Sequence, residues 1–519
     1  MSLSKQMQNT FRTLISKEKK SLTVSFISTL IFFIAAHGAC FSSRIYAGDY
    51  LNQIIKNDAA WQIALGRVFQ PILELLRGTV SSPWLIGCLM LFWTFLSVYM
   101  TAKIFKTDDV TVICLISGIE TCNIVYTASN ATFLPWSDYY AFSLFLSIAA
   151  AFLSTQKEWW KKISALVMVT AVFGIYQAYV FVYITIVAMK MCLDISEKKD
   201  IRKTLKETGI SAGCFIVAGV LYFICWKILQ KKLGIWTSDS YNGLAGLGDY
   251  EGYSFASLIT KAYGQFFSFF FEPQTFVTIV FHERSFSFVW EWILRIINAA
   301  VFISIPAGMF FINRKNKVSK ITYIIQASVL MVLPLLINGI CILSKGMVHT
   351  LMIYPYMFIY VLSIVFMART GIKRTVPLIA FATVIWCSIV ISNQVYMKRN
   401  LQEEAAQSLM TRVVERIEET EGYKAGETPV AFAGSFVLSP HTKPIEGFDA
   451  IENIYGVGNL SFTYPGLEKS YLKYVMNEDM NITEADTGNE VIKNMPVFPE
   501  EGSVAFNEGT LIVKISDIP

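Results

Sequence analysis

Asp49 sits in Tyr46-Ala47-Gly48-Asp49-Tyr50, just past an apolar run from Leu22 to Phe41. A carboxylate held by a glycine turn at a membrane surface can have a raised pKa and accept a proton from a hydroxyl nucleophile. A solvated loop acid has the same sequence signature, and Asp58 is a weaker candidate of the same kind. Arg67, in Leu65-Gly66-Arg67, supplies a cation nearby. A guanidinium there can hold a substrate phosphate in two-point contact, or anchor the chain to lipid headgroups. Three more corners carry polar groups: Lys345 and His349 ahead of Tyr354, Trp136 with Asp138, and Tyr176-Gln177. Polar groups at membrane depth are costly and often mark function, so several on one face outweigh any one alone.

Other chemistries find no support. The chain has no phosphate-cradling glycine loop of the GxxxxGK or GxGxxG type and no outward Asp-x-Asp. The four histidines (37, 282, 349, 441) are too scattered for a metal cluster, and no cofactor is expected. The nine cysteines (40, 88, 114, 122, 192, 214, 225, 341, 387) lie in or beside apolar stretches and show no CxxC spacing or disulfide framework.

The elements that must position these groups are membrane helices. Of 519 residues, 54% are hydrophobic and only 16% charged, and mean hydropathy is +0.47. A soluble domain carries about 25% charge. Apolar runs long enough to span a bilayer begin with Leu22–Phe41 and continue as Trp84–Ala102, Val110–Tyr126, Tyr139–Leu153, Ala212–Leu229, Phe288–Ile312, Ile321–Leu343, His349–Met367 and Val376–Tyr396. Ile163–Cys192 has lysines at both ends and Gly174-Ile175-Tyr176-Gln177 in the middle. The positive-inside rule puts both ends in the cytoplasm, so this stretch goes out and returns as two legs. Eleven spans result. The basic clusters at 5–20, 103–106, 157–162, 190–206, 314–320 and 369–374 then face the cytoplasm, as does the N-terminus. Segments 42–82, 230–287 and 397–519 fall outside.

Charge draws one further boundary. Residues 397–519 hold ten Lys/Arg and twenty Asp/Glu, against 34 and 19 upstream. A mainly α, polytopic body over 1–396 is therefore expected to precede a small, acidic, extracytoplasmic α+β domain over 397–519. A basic membrane body reflects helix ends and not nucleic-acid binding. Within 42–82 the apolar residues recur at helical spacing, as in interfacial helices, and 261–281 reads as a second interfacial piece. The tail opens with a polar helix at about 400–421, and strand signals follow at Pro429–Ala433 and Ser503–Ile515.

Tyr46–Asp49 and Trp61–Arg67 resemble the first external loop of the bacterial glucosyltransferase family typified by O-antigen-modifying glucosyltransferase II. Gly174–Gln177 resembles that family's short Tyr-Gln motif, and Thr428–Gly434 and Asn494–Lys514 its soluble C-terminal region. The family often has two adjacent acids in the loop, where this chain has Gly48 before a single Asp49.

The resemblance implies a GT-C type glycosyltransferase in the bacterial cytoplasmic (inner) membrane. Such an enzyme moves a sugar, glucose by this likeness, from a polyprenyl-phosphate donor to a cell-surface glycan on the extracytoplasmic face, with inversion. Asp49 would be the base; Arg67, Lys345, His349, Tyr176, Gln177, Trp136, Asp138 and Asp58 would line the substrate site. Its partners would be that donor, that acceptor, membrane lipids, a donor-making glycosyltransferase and a flippase. Two rival readings use the same features: a lipid-linked-sugar flippase or transporter, and a polysaccharide polymerase. The chain shows no internal repeat of the transporter kind, and the acidic tail fits an enzyme better than a flippase.

Overall fold

A computed structural model describes residues 3–43, 50–51, 53–55, 58–236, 252, 254–272, 284–371, 375–439, 448, 451 and 466–518, with side chains from 18 onward in the first helix and from 289 onward in the helix that begins at Arg284. The order is α1 Leu3–Ser42, α2 Ala59–Ala64, α3 Gln70–Arg77, α4 Pro83–Ile104, α5 Val110–Thr121, α6 Ile124–Thr132, α7 Ser137–Ser154, α8 Trp159–Ile175, α9 Val180–Ser196 and α10 Ile201–Leu233. Then come α11 Phe255–Phe271, α12 Arg284–Asn316, α13 Lys320–Ile337, α14 Ile340–Leu343, α15 Met357–Thr370 and α16 Thr375–Glu418. The tail adds β1 Pro429–Ala433, α17 Leu467–Tyr471, β2 Asn481–Glu484, α18 Glu490–Asn494, β3 Val504–Asn507 and β4 Thr510–Lys514.

Every apolar run expected to span contains helix, though breaks at 122–123 and 338–339 divide two of them and 3-10 turns precede the helix of His349–Met367. Among the described residues, nine helices are long and apolar enough to cross a membrane, and α15 with its leading turn is a shorter apolar helix. This is a membrane protein with a helical body.

Local sequence explains the breaks between spans. Asn123 interrupts the third apolar run by accepting from Tyr126 N (3.1 Å), which caps α6. At Tyr176 the backbone turns extended (φ −157°, ψ 108°) and ends α8. A 3-10 turn, Gln177–Tyr179, then starts α9. Tyr140, near the start of α7, packs on Tyr176 at 4.5 Å. Ser154, at the end of α7, meets Ser211 Oγ at 3.0 Å, and Tyr183 OH donates to the Ser211 carbonyl at 2.9 Å. The α9 leg therefore runs back along α7, as two legs meeting at a Gly-Tyr-Gln corner require.

Basic helix ends gather at one end of the bundle. Lys103 pairs with Glu18 at 3.1 Å. Asp194 bridges Lys190 and Lys199, both at 2.5 Å. Arg369 reaches across to Glu197 at 3.1 Å. The loops that carry Arg67, Arg77 and Tyr176 lie at the other end.

The tail differs from expectation in one respect. The compositional boundary at 397 falls inside α16, which runs unbroken for 44 residues. Beyond Tyr396 there is no Gly or Pro until Gly422 to stop it. Ala406, Leu409, Met410, Val413 and Ile417 recur at helical spacing and are buried in a second core beneath the sheet. The sheet order is β2-β1-β4-β3, with β1 parallel to both β2 and β4 and with β3 and β4 an antiparallel hairpin. Both expected strand regions are present. β2 is a short, largely exposed strand that the sequence did not announce. Leu51, from the first loop, is buried in this same second core. The first loop is thus held by the tail as well as by the bundle.

The loop helices are docked rather than simply afloat. In α2 and the turn after it, Ile63, Ala64, Leu65 and Val68 are buried, whereas α3 exposes Leu75 and Leu76. In α11, Phe266, Phe269 and Phe270 are buried; Phe266 and Phe270 pack on Phe302 at 5.9 and 5.0 Å. Its proposed continuation over 273–281 lies outside the described residues.

Candidate functional site

Two motifs far apart in sequence form one structural unit. The Tyr222 hydroxyl of α10 donates to the Gly66 carbonyl at 2.8 Å, and Trp226 Nε1 donates to the Ile63 carbonyl at 2.7 Å. Gln177 Nε2 donates to the Leu65 carbonyl (3.3 Å) and to Tyr222 OH (3.2 Å). Phe69 N bonds the Gly174 carbonyl at 2.9 Å, and Gln70 Nε2 bonds the Ile175 carbonyl at 2.9 Å. Gly66 has φ +80°, and a Cβ there would lie 2.3 Å from the Tyr222 hydroxyl. Only glycine fits that turn. The result aims Arg67 across the face of Tyr176, with its guanidinium carbon 5.4 Å from the ring centroid. Arg67, Tyr176 and Gln177 are therefore brought together.

A second cation lies beside them. Arg77, at the end of α3, pairs with Asp138 at 2.7 Å, with both side chains almost wholly buried. Its guanidinium also donates to the Pro135 carbonyl at 2.5 Å and lies 4.5 Å from the centroid of Tyr139. Asp138 thus holds an arginine. Trp136 is buried in the turn before α7, and neither its Nε1 nor the Tyr139 and Tyr179 hydroxyls has a hydrogen-bond partner among the described residues. Buried polar atoms of this kind are open positions for a ligand or water.

Asp49 lies outside the described residues. Its chain neighbour Tyr50 is buried and donates to the Ser81 carbonyl at 2.8 Å. Ser81 Oγ donates to the Gln53 carbonyl at 2.8 Å and accepts from Arg77 at 3.5 Å. Tyr50 is thus linked through Ser81 to the Arg77–Asp138 pair. Asp58 has a different duty: its carboxylate caps α2 by accepting from Trp61 N at 3.0 Å, on an exposed stretch.

Lys345 and His349 occupy a separate corner fixed by α11. Gln265 Nε2 donates to the Gly346 carbonyl at 3.0 Å, and Asn338 Nδ2 to the Ala262 carbonyl at 3.0 Å. Among the described residues, neither Lys345 nor His349 makes a hydrogen bond or ion pair with Arg67, Arg77 or Asp138. A run of rings joins the two corners: Tyr176–Tyr179 at 5.6 Å, Tyr179–Tyr354 at 5.5 Å and Tyr354–Tyr126 at 5.3 Å.

Sequence reasoning missed Arg77, Tyr222, Trp226 and Glu120. No local pattern pairs Arg77 with Asp138, and the anchors on α10 read as ordinary span aromatics. Glu120 did carry a signal, as the lone acid within the Val110–Tyr126 run. It is fully buried, with neither carboxylate oxygen hydrogen-bonded among the described residues. No group of three or more His, Cys, Asp or Glu among the described residues could hold a metal ion.

Comparison with known proteins gives one result that covers this whole site. No curated protein and no solved structure matches the chain. A family model described as glucosyl transferase GtrII matches residues 38–367, a stretch running from the end of α1 to α15 and taking in both motifs, the Arg77–Asp138 pair and the Lys345 corner. The chain belongs to the GtrII glucosyl transferase family and is a glycosyltransferase of the membrane.

Proposed function

We propose that the protein moves a sugar, glucose by family, from a polyprenyl-phosphate donor to a cell-surface glycan on the extracytoplasmic face of the bacterial inner membrane, in one inverting displacement of the GT-C kind. The observation that carries this reading is the docking of Leu65-Gly66-Arg67 on the Gly174–Gln177 corner, at the bundle end opposite the basic helix ends. By the positive-inside rule that end faces outward, where the headgroup of a lipid donor from the outer leaflet would lie.

The chemistry then assigns itself by charge. An acceptor hydroxyl attacks the anomeric carbon, and its proton passes to Asp49. The bond from that carbon to the phosphate oxygen breaks, and polyprenyl phosphate leaves with the electron pair. Charge grows on the leaving phosphate, so a cation placed there in advance lowers the barrier. Arg67 is the candidate, steadied by the Tyr176 face and the Gln177 clamp. Arg77 braces Ser81, the anchor of Tyr50, and is itself held by Asp138. Lys345 and His349, across the ring array, belong to an outer part of the donor or acceptor cleft. No metal or organic cofactor enters the scheme. A donor-making glycosyltransferase and a flippase would supply the substrate.

The test uses membrane vesicles that hold the protein, supplied with polyprenyl-phosphate glucose. Transfer to glycan should depend on that donor, and nucleotide-sugar should not replace it. A charge-assisted contact is worth about 1.5–3 kcal/mol, so Arg67→Ala should raise the donor concentration needed by about 10- to 150-fold with the protein still inserted. An unchanged donor requirement would make Arg67 an interfacial anchor and nothing more. Lipid-linked sugar crossing the bilayer without glycan transfer would favour a flippase.

A further inference from the structure

We infer that the groove between the outer halves of α1 and α4 is the seat of the donor's prenyl chain, which extends the lipid-donor reading above by naming the part of the molecule that grips the lipid. The cavity measures about 470 Å³ and is lined only by apolar residues and cysteine, from Leu30 to Phe41 on α1 and from Trp84 to Leu91 on α4. At 1.5 Å per residue, Leu30 to Phe41 spans about 16 Å of helix. The hydrocarbon core is about 30 Å thick, so the groove is one leaflet deep. It occupies the leaflet nearest the candidate site, since α1 ends at Ser42 and α4 begins at Pro83.

Three observations point to a prenyl phosphate in particular. First, the groove lies at bilayer depth, so its occupant is a hydrocarbon chain. Second, its mouth opens beside the site: Trp84 follows closely on Ser81, which holds Tyr50 and contacts Arg77. A chain seated here would place its headgroup beside Tyr50 and Ser81. Third, two glycines shape the walls. At Gly87 a Cβ would lie 2.6 Å from the Phe41 ring, so α1 and α4 approach closely there. At Gly38 a Cβ would meet only an Ile34 methyl at 3.6 Å, which leaves open room above α1. An apolar chain gains almost nothing by moving from lipid to an apolar wall, so binding must come from fit. A narrow groove fits an unsaturated, methyl-branched chain by shape and thereby fixes where its phosphate emerges.

Gly38→Leu fills this groove while improving helix propensity. The control is Gly213→Leu on α10, where a Cβ meets nothing within 4 Å. Two glucosyl-phosphate probes separate the parts: one on an eleven-isoprene alcohol, one on a two-isoprene alcohol too short to lie along the groove. Gly38→Leu should raise KM for the long probe by about tenfold relative to the short one, and Gly213→Leu should change neither. A second assay needs no transfer: an eleven-isoprene phosphate bearing a diazirine near its head should label the α1 and α4 stretches of the groove in the wild-type protein, less so in Gly38→Leu. Labelling without any transfer would uphold the groove and sink the glycosyltransfer scheme. Equal KM changes for both probes, labelling elsewhere, or displacement of the label by phosphatidylglycerol as readily as by prenyl phosphate would overturn the groove assignment itself.

Discussion

Arg77 and Asp138 are each almost wholly buried and lie 2.7 Å apart, so each makes the other tolerable in an apolar setting. Removing one partner of such a pair leaves a stranded charge and costs about 3–5 kcal/mol. Asp138→Ala should therefore lower the melting temperature of the detergent-solubilised protein sharply, whereas Arg77→Met with Asp138→Leu should melt closer to wild type. A single variant as stable as wild type would show the pair to be incidental. Asp138 was legible in the sequence as a polar group at an outer corner, but its partner was not. The fold brings Arg77 there by way of α3, and spacing along the chain carries no trace of it. Asp58 shows the opposite case, because its type and position fit a substrate acid and a helix cap equally, and geometry gives it the cap.

α10 works as a brace. Tyr222 and Trp226, one turn apart, bond two carbonyls of the segment 63–66 and so hold the Arg67 turn against the Tyr176 corner. A net hydrogen bond of this kind is worth about 1 kcal/mol. Tyr222→Phe should lower stability by about that amount and raise the donor KM, since it loosens the turn without touching the loop acid. Gly66→Ala should be worse, through left-handed strain of about 1–3 kcal/mol and the clash with the Tyr222 hydroxyl. The double variant should recover part of the loss, because the phenyl ring removes the atom struck. Purely additive effects on melting temperature would mean the two residues do not meet as described. At this scale the sequence was informative wherever the pattern was periodic: the spans, the two legs around Gly174–Gln177 and the strands at 429–433 and 503–515 all read correctly. The charge boundary at residue 397 falls inside α16. Charge balance reports where solvent begins, helix propensity reports where the backbone changes, and in α16 these are different places.

For the whole molecule, the basic helix ends gather on one side and the Arg67 and Tyr176 loops lie on the other. A cysteine placed at exposed Glu421, just past α16, should react with a membrane-impermeant thiol reagent in intact spheroplasts once native thiols are accounted for. Protection there would invert the topology and move the site to the cytoplasmic face. The α16 rod leads into the sheet domain, whose core takes in Leu51, while Tyr50 beside it is held by Ser81. That joint burial depends on contacts between residues hundreds of positions apart, which no local pattern reveals. The central claim is that Asp49 is the base in sugar transfer at this outer mouth, and transfer of labelled glucose from polyprenyl phosphate to surface glycan, wild type against Asp49→Asn, measures it most directly. A positioned general base is worth about 10²–10⁴-fold, so the variant should lose activity by that order with expression and donor binding intact, while Asp58→Asn stays close to wild type. Transfer by Asp49→Asn at near the wild-type rate would contradict the account.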